Sequence, residues 1–137
     1  MMHRIKKVDD ENHDKWIGIG GKFEDKESPF DCVKREVFEE TGLTVTNLQY
    51  KGIVTFVSDI YPTEYMHLFY TESFEGALKS NCDEGELQWV KKEDLRKLPL
   101  WQGDFIFLDL LEQNTSFFSL KLEYSSDTLV SHSLDFS

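Results

Sequence analysis

The 137-residue chain has no apolar run approaching the about 20 residues that a membrane-crossing helix needs. Its first residues, MMHRIKKVDDENHD, lack the apolar stretch of a secretory signal. Cysteine is scarce: Cys32 and Cys82 stand far apart and form no CxxC pair, so neither a disulfide framework nor a zinc site is expected. Positive charge is also in short supply, with 15 Lys and Arg against 26 Asp and Glu and a net charge of −11. A surface of that sign does not track a nucleic-acid polymer. It leaves small anionic ligands open, because bound divalent cations reverse the local sign. There is no internal repeat and no low-complexity linker. These absences point to a single domain over residues 1–137, in a reducing, cytoplasmic setting, with a small molecule as partner and no membrane.

What is present suits a compact core: 39% hydrophobic residues and 14% aromatics, including eleven Phe. Met1 to Lys7 reads as the end of a strand, Val8 to Lys15 as a polar loop, and Trp16 to Ile19 as a short apolar segment before Gly20-Gly21. Ser28-Pro29-Phe30-Asp31 is a helix start, with Ser at the N-cap, Pro in the first position and an acid at the third. The helix is expected to run to about Thr41 and stop at Gly42, with Phe30, Val33 and Val37 facing the core. Leu48 to Val57, Tyr65 to Phe74 and Gln88 to Val90 read as strands. A second helix is expected from about Gly103 to Gln113. In the tail, Phe118, Leu120, Leu122 and Tyr124 alternate with polar residues, and Ser125-Ser126-Asp127 turns the chain into Leu129 to Phe136. Strands flanking two helices give an α+β layered domain.

The chemistry concentrates in GKFEDKESPFDCVKREVFEETGL. Glu36, Glu39 and Glu40 fall at i, i+3 and i+4 and so share one helical face. Their mutual repulsion is relieved by hard divalent ions that prefer oxygen ligands, Mg²⁺ above all where phosphates complete the shell. Arg35 is not a metal ligand but can hold a carboxylate by a bidentate pair, and Glu27 is the candidate partner. Taken singly, each glutamate fits the solvated face of an amphipathic helix far better than a metal site.

As a set, Gly21, Glu27, Arg35, Glu36, Val37, Glu39, Glu40, Gly42 and Leu43 resemble the Nudix box at every defined position. The resemblance implies a Nudix fold, a mixed β-sheet sandwiched between helices. It implies that Glu36, Glu39 and Glu40 coordinate Mg²⁺, for which Mn²⁺ can substitute, and that the Gly20 carbonyl joins them. Glu27 and Arg35 would orient the site, and Lys22 would approach the phosphates. A further loop glutamate would act as ligand or base, with Glu84 the choice and Glu86 its competitor. The implied reaction is hydrolysis of a diphosphate linkage, metal-bound water attacking one phosphorus while a carboxylate takes its proton.

The box does not set the substrate. The segment from Leu87 to Phe136 resembles MutT-like oxidised purine nucleoside triphosphatases, the 8-oxo-dGTP diphosphatase type. That resemblance puts Trp101 and Asp104 at the base, Trp101 by stacking and Asp104 by hydrogen bonding to the purine edge. The alternative is that Trp101 packs a loop against the sheet and Asp104 caps the following helix. This chain departs from the group's pattern at Ile17, where an Asn would touch the base, and at Gly103, where a first acid would stand. Tyr65 and His67, on a central strand, are expected to pack in the core, with lining the pocket as the alternative.

The leading expectation is therefore a Mg²⁺-dependent pyrophosphohydrolase of nucleoside triphosphates, releasing monophosphate and pyrophosphate. The alternatives are a hydrolase of another nucleoside diphosphate derivative, such as a dinucleotide or ADP-ribose, and a non-catalytic nucleotide-sensing module. An isoprenoid diphosphate isomerase shares the fold, but no cysteine stands where its site would require one. The apolar strand that usually opens a Nudix domain is missing or shortened, which would leave a sheet edge. A monomer or a homodimer would be compatible with that.

Overall fold

The computed structural model describes residues 2–3, 16–79, 81–82 and 85–137. In chain order it contains β1 (Met2–His3), β2 (Trp16–Ile17), α1 (Pro29–Thr41), β3 (Thr44–Thr46), β4 (Gln49–Ser58), β5 (Glu64–Tyr70) and β6 (Ser73–Glu75). There follow β7 (Asn81–Cys82), β8 (Gly85–Leu87), a 3₁₀ helix (Lys92–Lys97), α2 (Asp104–Gln113), β9 (Phe118–Ser125) and β10 (Thr128–Phe136). The chain divides into two compact units, Met1–Leu48 with Thr71–Leu100, and Gln49–Tyr70 with Trp101–Ser137.

The first unit holds a four-stranded sheet in the order β2-β1-β8-β7 and the β3-β6 pair. β1 is interior to its sheet, with Met2 opposite Ile17 on one side and Leu87 on the other. α1 follows the sequence reading closely at both ends. Ser28 Oγ accepts from the Asp31 amide and the Asp31 carboxylate accepts from the Ser28 amide, each at 3.1 Å. Such a reciprocal cap contributes about 1 kcal/mol. At the other end Gly42 takes φ +82°, which a Cβ would penalise, and its amide donates to the Phe38 carbonyl at 2.9 Å.

The expected apolar stripe is only partly right. Val33 and Val37 are half-buried, but Phe30 is exposed, and the buried residues of α1 are Cys32 and Thr41. The helix gives much of its covered surface to Arg35 and Glu36, which engage the loop before it. Periodicity alone assigned that surface to apolar side chains.

The second unit is built on a mixed sheet, β10-β9-β4-β5, in which β4 runs parallel to β9 and antiparallel to β5. Phe118, Leu120, Leu122 and Tyr124 of β9 all point inward, as their alternation predicts. With Val54 of β4 and Leu110 of α2 they form the core, and Ile106 and Phe107 of α2 pack against it. Each large side chain buried there contributes about 1.5–3 kcal/mol. β9 and β10 form the expected hairpin through Ser126 (φ +54°) and Asp127. The Asp59 carboxylate secures that turn by accepting from the Ser126 amide at 2.9 Å and the Ser125 hydroxyl at 3.2 Å.

Several local expectations are corrected. Gln88 to Val90 is not a strand; the strand is Gly85–Leu87, where burial alternates. The strand expected over Tyr65 to Phe74 is two, β5 and β6, split where Thr71 Oγ1 turns to the Thr46 carbonyl and receives the Ser73 amide. Tyr65 does not pack in a core and is 67% exposed. His67 is half-buried beside Tyr50, its Nδ1 hydrogen-bonded to the Tyr50 hydroxyl. β3 and the 3₁₀ helix are too short to show a period. The α+β class with a mixed sheet stands as expected.

Candidate active site

Arg35 organises the first unit's acidic groups. Its Nε donates to Glu27 Oε2 at 2.7 Å and its Nη2 to Glu27 Oε1 at 3.0 Å, the bidentate pair that the spacing predicts. The same Nη2 donates to the Lys22 carbonyl at 3.0 Å, tying the helix to the glycine loop. Nη1 bridges two candidate metal ligands, Glu36 Oε1 at 2.7 Å and Glu39 Oε2 at 3.0 Å. Arg35 and Glu27 are largely covered, with side chains 20% and 14% exposed, so the pair is shielded from solvent on most sides.

The electrostatic consequences follow directly. The Glu27 carboxyl is held below the usual glutamate range, first by its bond from Arg35 and then by the Glu24 amide, which donates at 2.8 Å. Bonds to Glu27 and Glu36 make the Arg35 guanidinium harder still to deprotonate. Burial, followed by the charge of Glu27, pushes the Cys32 thiol up, which disfavours its reactive thiolate form.

The carboxylates also meet the glycine turn. The Gly20 amide donates to Glu40 Oε2 at 3.3 Å. A Cβ on Gly21 would meet the Glu36 carboxylate, whose Oε1 would be 2.6 Å away, so a side chain there would displace that carboxylate from its place against the turn. Lys22 has an exposed side chain and a fixed carbonyl.

These residues fit a hard divalent cation by chemistry: three oxygen-donor carboxylates on neighbouring turns, two of them reaching the Gly20-Gly21 backbone. With Arg35 holding oxygens of Glu36 and Glu39, no three acidic, His or Cys groups among the described residues converge on one point. Arg35 engages one oxygen of each of these two carboxylates, and the Glu39 side chain is 56% exposed.

Glu84 lies outside the described residues, and its competitor Glu86 is exposed on β8. Sequence reasoning missed Glu24, whose Oε1 lies 3.5 Å from Arg35 Nη1 and whose amide supports Glu27. No feature of the box singles it out.

Trp101 and Asp104 belong to the second unit. Trp101 is half-buried, edge-on to Tyr124 with ring centres 5.4 Å apart, and packs against the core. Asp104 does not cap α2. The cap position is Gly103, which has no side chain to cap with, and Asp104 is the first helical residue. At Gly103 a side chain would crowd the core, since a Cβ would come 2.5 Å from Leu122 Cδ1 and 2.7 Å from Tyr124 Oη. The Tyr124 hydroxyl takes up that space and accepts from the Gly103 amide at 2.7 Å. Burial first, then the nearby Asp104 charge, pushes the Tyr124 hydroxyl up to about 12, against the lowering effect of the Gly103 bond. The alternation of β9 pointed Tyr124 inward but gave no sign of what its hydroxyl meets.

The chain is similar to known proteins over most of its length. A family model described as the NUDIX domain matches residues 1–111. The chain is 36% identical over 125 residues to a Bacillus subtilis protein called the uncharacterized Nudix hydrolase YvcI, covering 88% of this chain and 79% of that one. It is 34% identical over 126 residues to the oxidized purine nucleoside triphosphate hydrolase of Danio rerio, covering 88% and 78%. In three dimensions it is similar to the MutT protein of Bacillus halodurans, with a TM-score of 0.83, 33% identity, and 88% and 82% of the two chains covered. The chain therefore belongs to the Nudix family, as a MutT-like hydrolase.

Proposed function

We infer that the protein hydrolyses purine nucleoside triphosphates, oxidised forms such as 8-oxo-dGTP in preference, to the monophosphate and pyrophosphate, with Mg²⁺ as its metal. The observation that carries this reading is the Arg35 network, which gathers Glu27, Glu36 and Glu39 beside the glycine turn that Glu40 also reaches. Mg²⁺, once bound, would neutralise the diphosphate and lower the pKa of a coordinated water. Glu36, Glu39, Glu40 and the Gly20 carbonyl would hold it. Glu27 and Arg35 keep α1 and the loop in register, and Lys22 offers a cation to the phosphates. Water adds to phosphorus as the bridging P–O bond breaks; a glutamate of this group, or Glu84, accepts the proton.

Preference for an oxidised purine is supported by the activity named for the zebrafish relative, and by Trp101 and Asp104, which the sequence resemblance puts at the base. We take residues 1–137 as one Nudix domain, cytoplasmic, acting on a small nucleotide as a monomer or homodimer. The absence of an acid at Gly103 favours one competing reading, that the base is read loosely and another nucleoside diphosphate derivative is the substrate.

A panel of 8-oxo-dGTP, dGTP, ADP-ribose and a dinucleoside polyphosphate with Mg²⁺, followed by phosphate and pyrophosphate release, separates the readings. The expected result is fastest turnover of 8-oxo-dGTP, and in Trp101→Ala a KM for it raised about three- to tenfold. Fastest turnover of ADP-ribose or the dinucleotide would replace the leading reading. Tight nucleotide binding without turnover would make the domain a sensor.

A further inference from the structure

The last turn of α1 carries Glu39 and Glu40 at the wrong end of the helix. A helix C-terminus bears partial negative charge, and carboxylates there are repelled by it. The helix has no basic residue of its own in that turn. The compensation comes from a segment distant in sequence, Gly76 to Lys79. Lys79 Nζ donates to the Glu39 carbonyl at 3.1 Å, and the Lys79 amide donates to the Thr41 carbonyl at 2.9 Å. One residue thus caps two carbonyls of the turn by two different groups.

The fit between segment and helix end is close. Gly76 takes φ +101°, and a Cβ there would lie 2.9 Å from the Gly42 carbonyl oxygen. Gly42 takes φ +82°, and a Cβ there would lie 3.2 Å from the Ala77 carbonyl oxygen. Thr41 Oγ1 adds an internal brace, donating to the Val37 carbonyl and accepting from the Leu43 amide at 3.1 Å. The backbone from which Glu39 and Glu40 project is held from both sides, and Lys79 supplies the only part of the clamp among these contacts that carries charge.

We propose that Lys79 is a positioning residue of the hydrolytic site: by binding the last carbonyls of α1 it fixes the backbone that aims Glu39 and Glu40. The proposal rests on the metal-site reading given above. Lys79 touches neither substrate nor ion; it acts through the Glu39 carbonyl, and its ammonium partly offsets the charge of the turn. Loss of its side chain leaves the amide bond to Thr41 in place, so the helix end loosens without being undone.

The test is Mn²⁺ binding by the full chain, read from the electron paramagnetic resonance of free Mn²⁺, alongside kinetics and thermal melting. Lys79→Met is compared with Lys79→Arg and with Lys97→Met, which removes the same charge from the exposed pair with Asp94. Lys79→Met is expected to weaken Mn²⁺ binding and lower kcat by about tenfold with KM little changed, the lower end of what outer-shell partners of metal ligands contribute. Lys79→Arg should restore most of both, and Lys97→Met should leave both unaltered. A Lys79→Met protein that melts lower but binds Mn²⁺ like the wild type would reduce Lys79 to a helix cap and overturn the proposal, as would an arginine variant no better than methionine. If Lys79→Met does not fold, Gly76→Ala, which presses the same segment away from Gly42, must weaken Mn²⁺ binding; unchanged binding there also overturns it. Failure of the wild type to bind Mn²⁺ would bring down the metal-site reading itself, and this proposal with it.

Discussion

Arg35 meets the side chains of Glu24, Glu27, Glu36 and Glu39 with a single positive charge. Only Glu27 is held by two parallel bonds, and only Glu27 gains the Glu24 amide as well. The division fits a support that must stay fixed while its neighbours exchange partners. It also gives Glu27 a pH signature. Because the fold keeps this carboxyl ionised below its ordinary range, the folded chain binds fewer protons than the unfolded chain in that window. Its stabilisation is fully present above the ordinary glutamate range and is lost as pH falls through the depressed value. The melting temperatures of wild type and Glu27→Gln should therefore differ most near neutrality and converge in acid. A gap that does not change with pH would mean that Glu27 stabilises by shape alone.

At the scale of elements, the two helices show what a sequence can and cannot reveal. Both ends of α1 were legible because caps are local: Ser28, Pro29, Asp31 and Gly42 act within a turn of one another. The Glu27–Arg35 pair was legible because a fixed spacing on a helix and its leading loop leaves little freedom. The burial of α1 was misjudged because Arg35 and Glu36 cover a face that hydrophobicity counts as empty. At α2, Gly103 reads as a lost acid, whereas the fold brings Leu122 and Tyr124 beside it, where a Cβ would crowd them. The same distance in sequence hid the Lys79 contact. Gly103→Ala should destabilise the protein by about 1–3 kcal/mol in denaturant unfolding, the usual cost of overpacking. A neutral outcome would show that Leu122 and Tyr124 yield easily, and that position 103 was free to keep an acid.

For the whole molecule, a net charge of −11 is a cost that bound cations relieve. Any ion that prefers the folded chain stabilises it by mass action, about 2.7 kcal/mol at 100 times the dissociation constant. Saturating Mg²⁺ should raise the melting temperature by on the order of 5–10 °C. The rise should be absent in Glu39→Gln and Glu40→Gln, which should also lose on the order of 100-fold in turnover while keeping native circular dichroism. An equal rise in these variants would assign the effect to diffuse screening by the acidic surface. One contact carries a different implication for how such chains change over generations. Gly42 and Gly76 form a single steric unit written at two separate places in the gene, since each leaves the space that the other's neighbourhood fills. Drift at position 76 is thus coupled to the box although it lies outside it. A pattern that scores only Gly21 to Leu43 would accept descendants in which α1 has lost its stop.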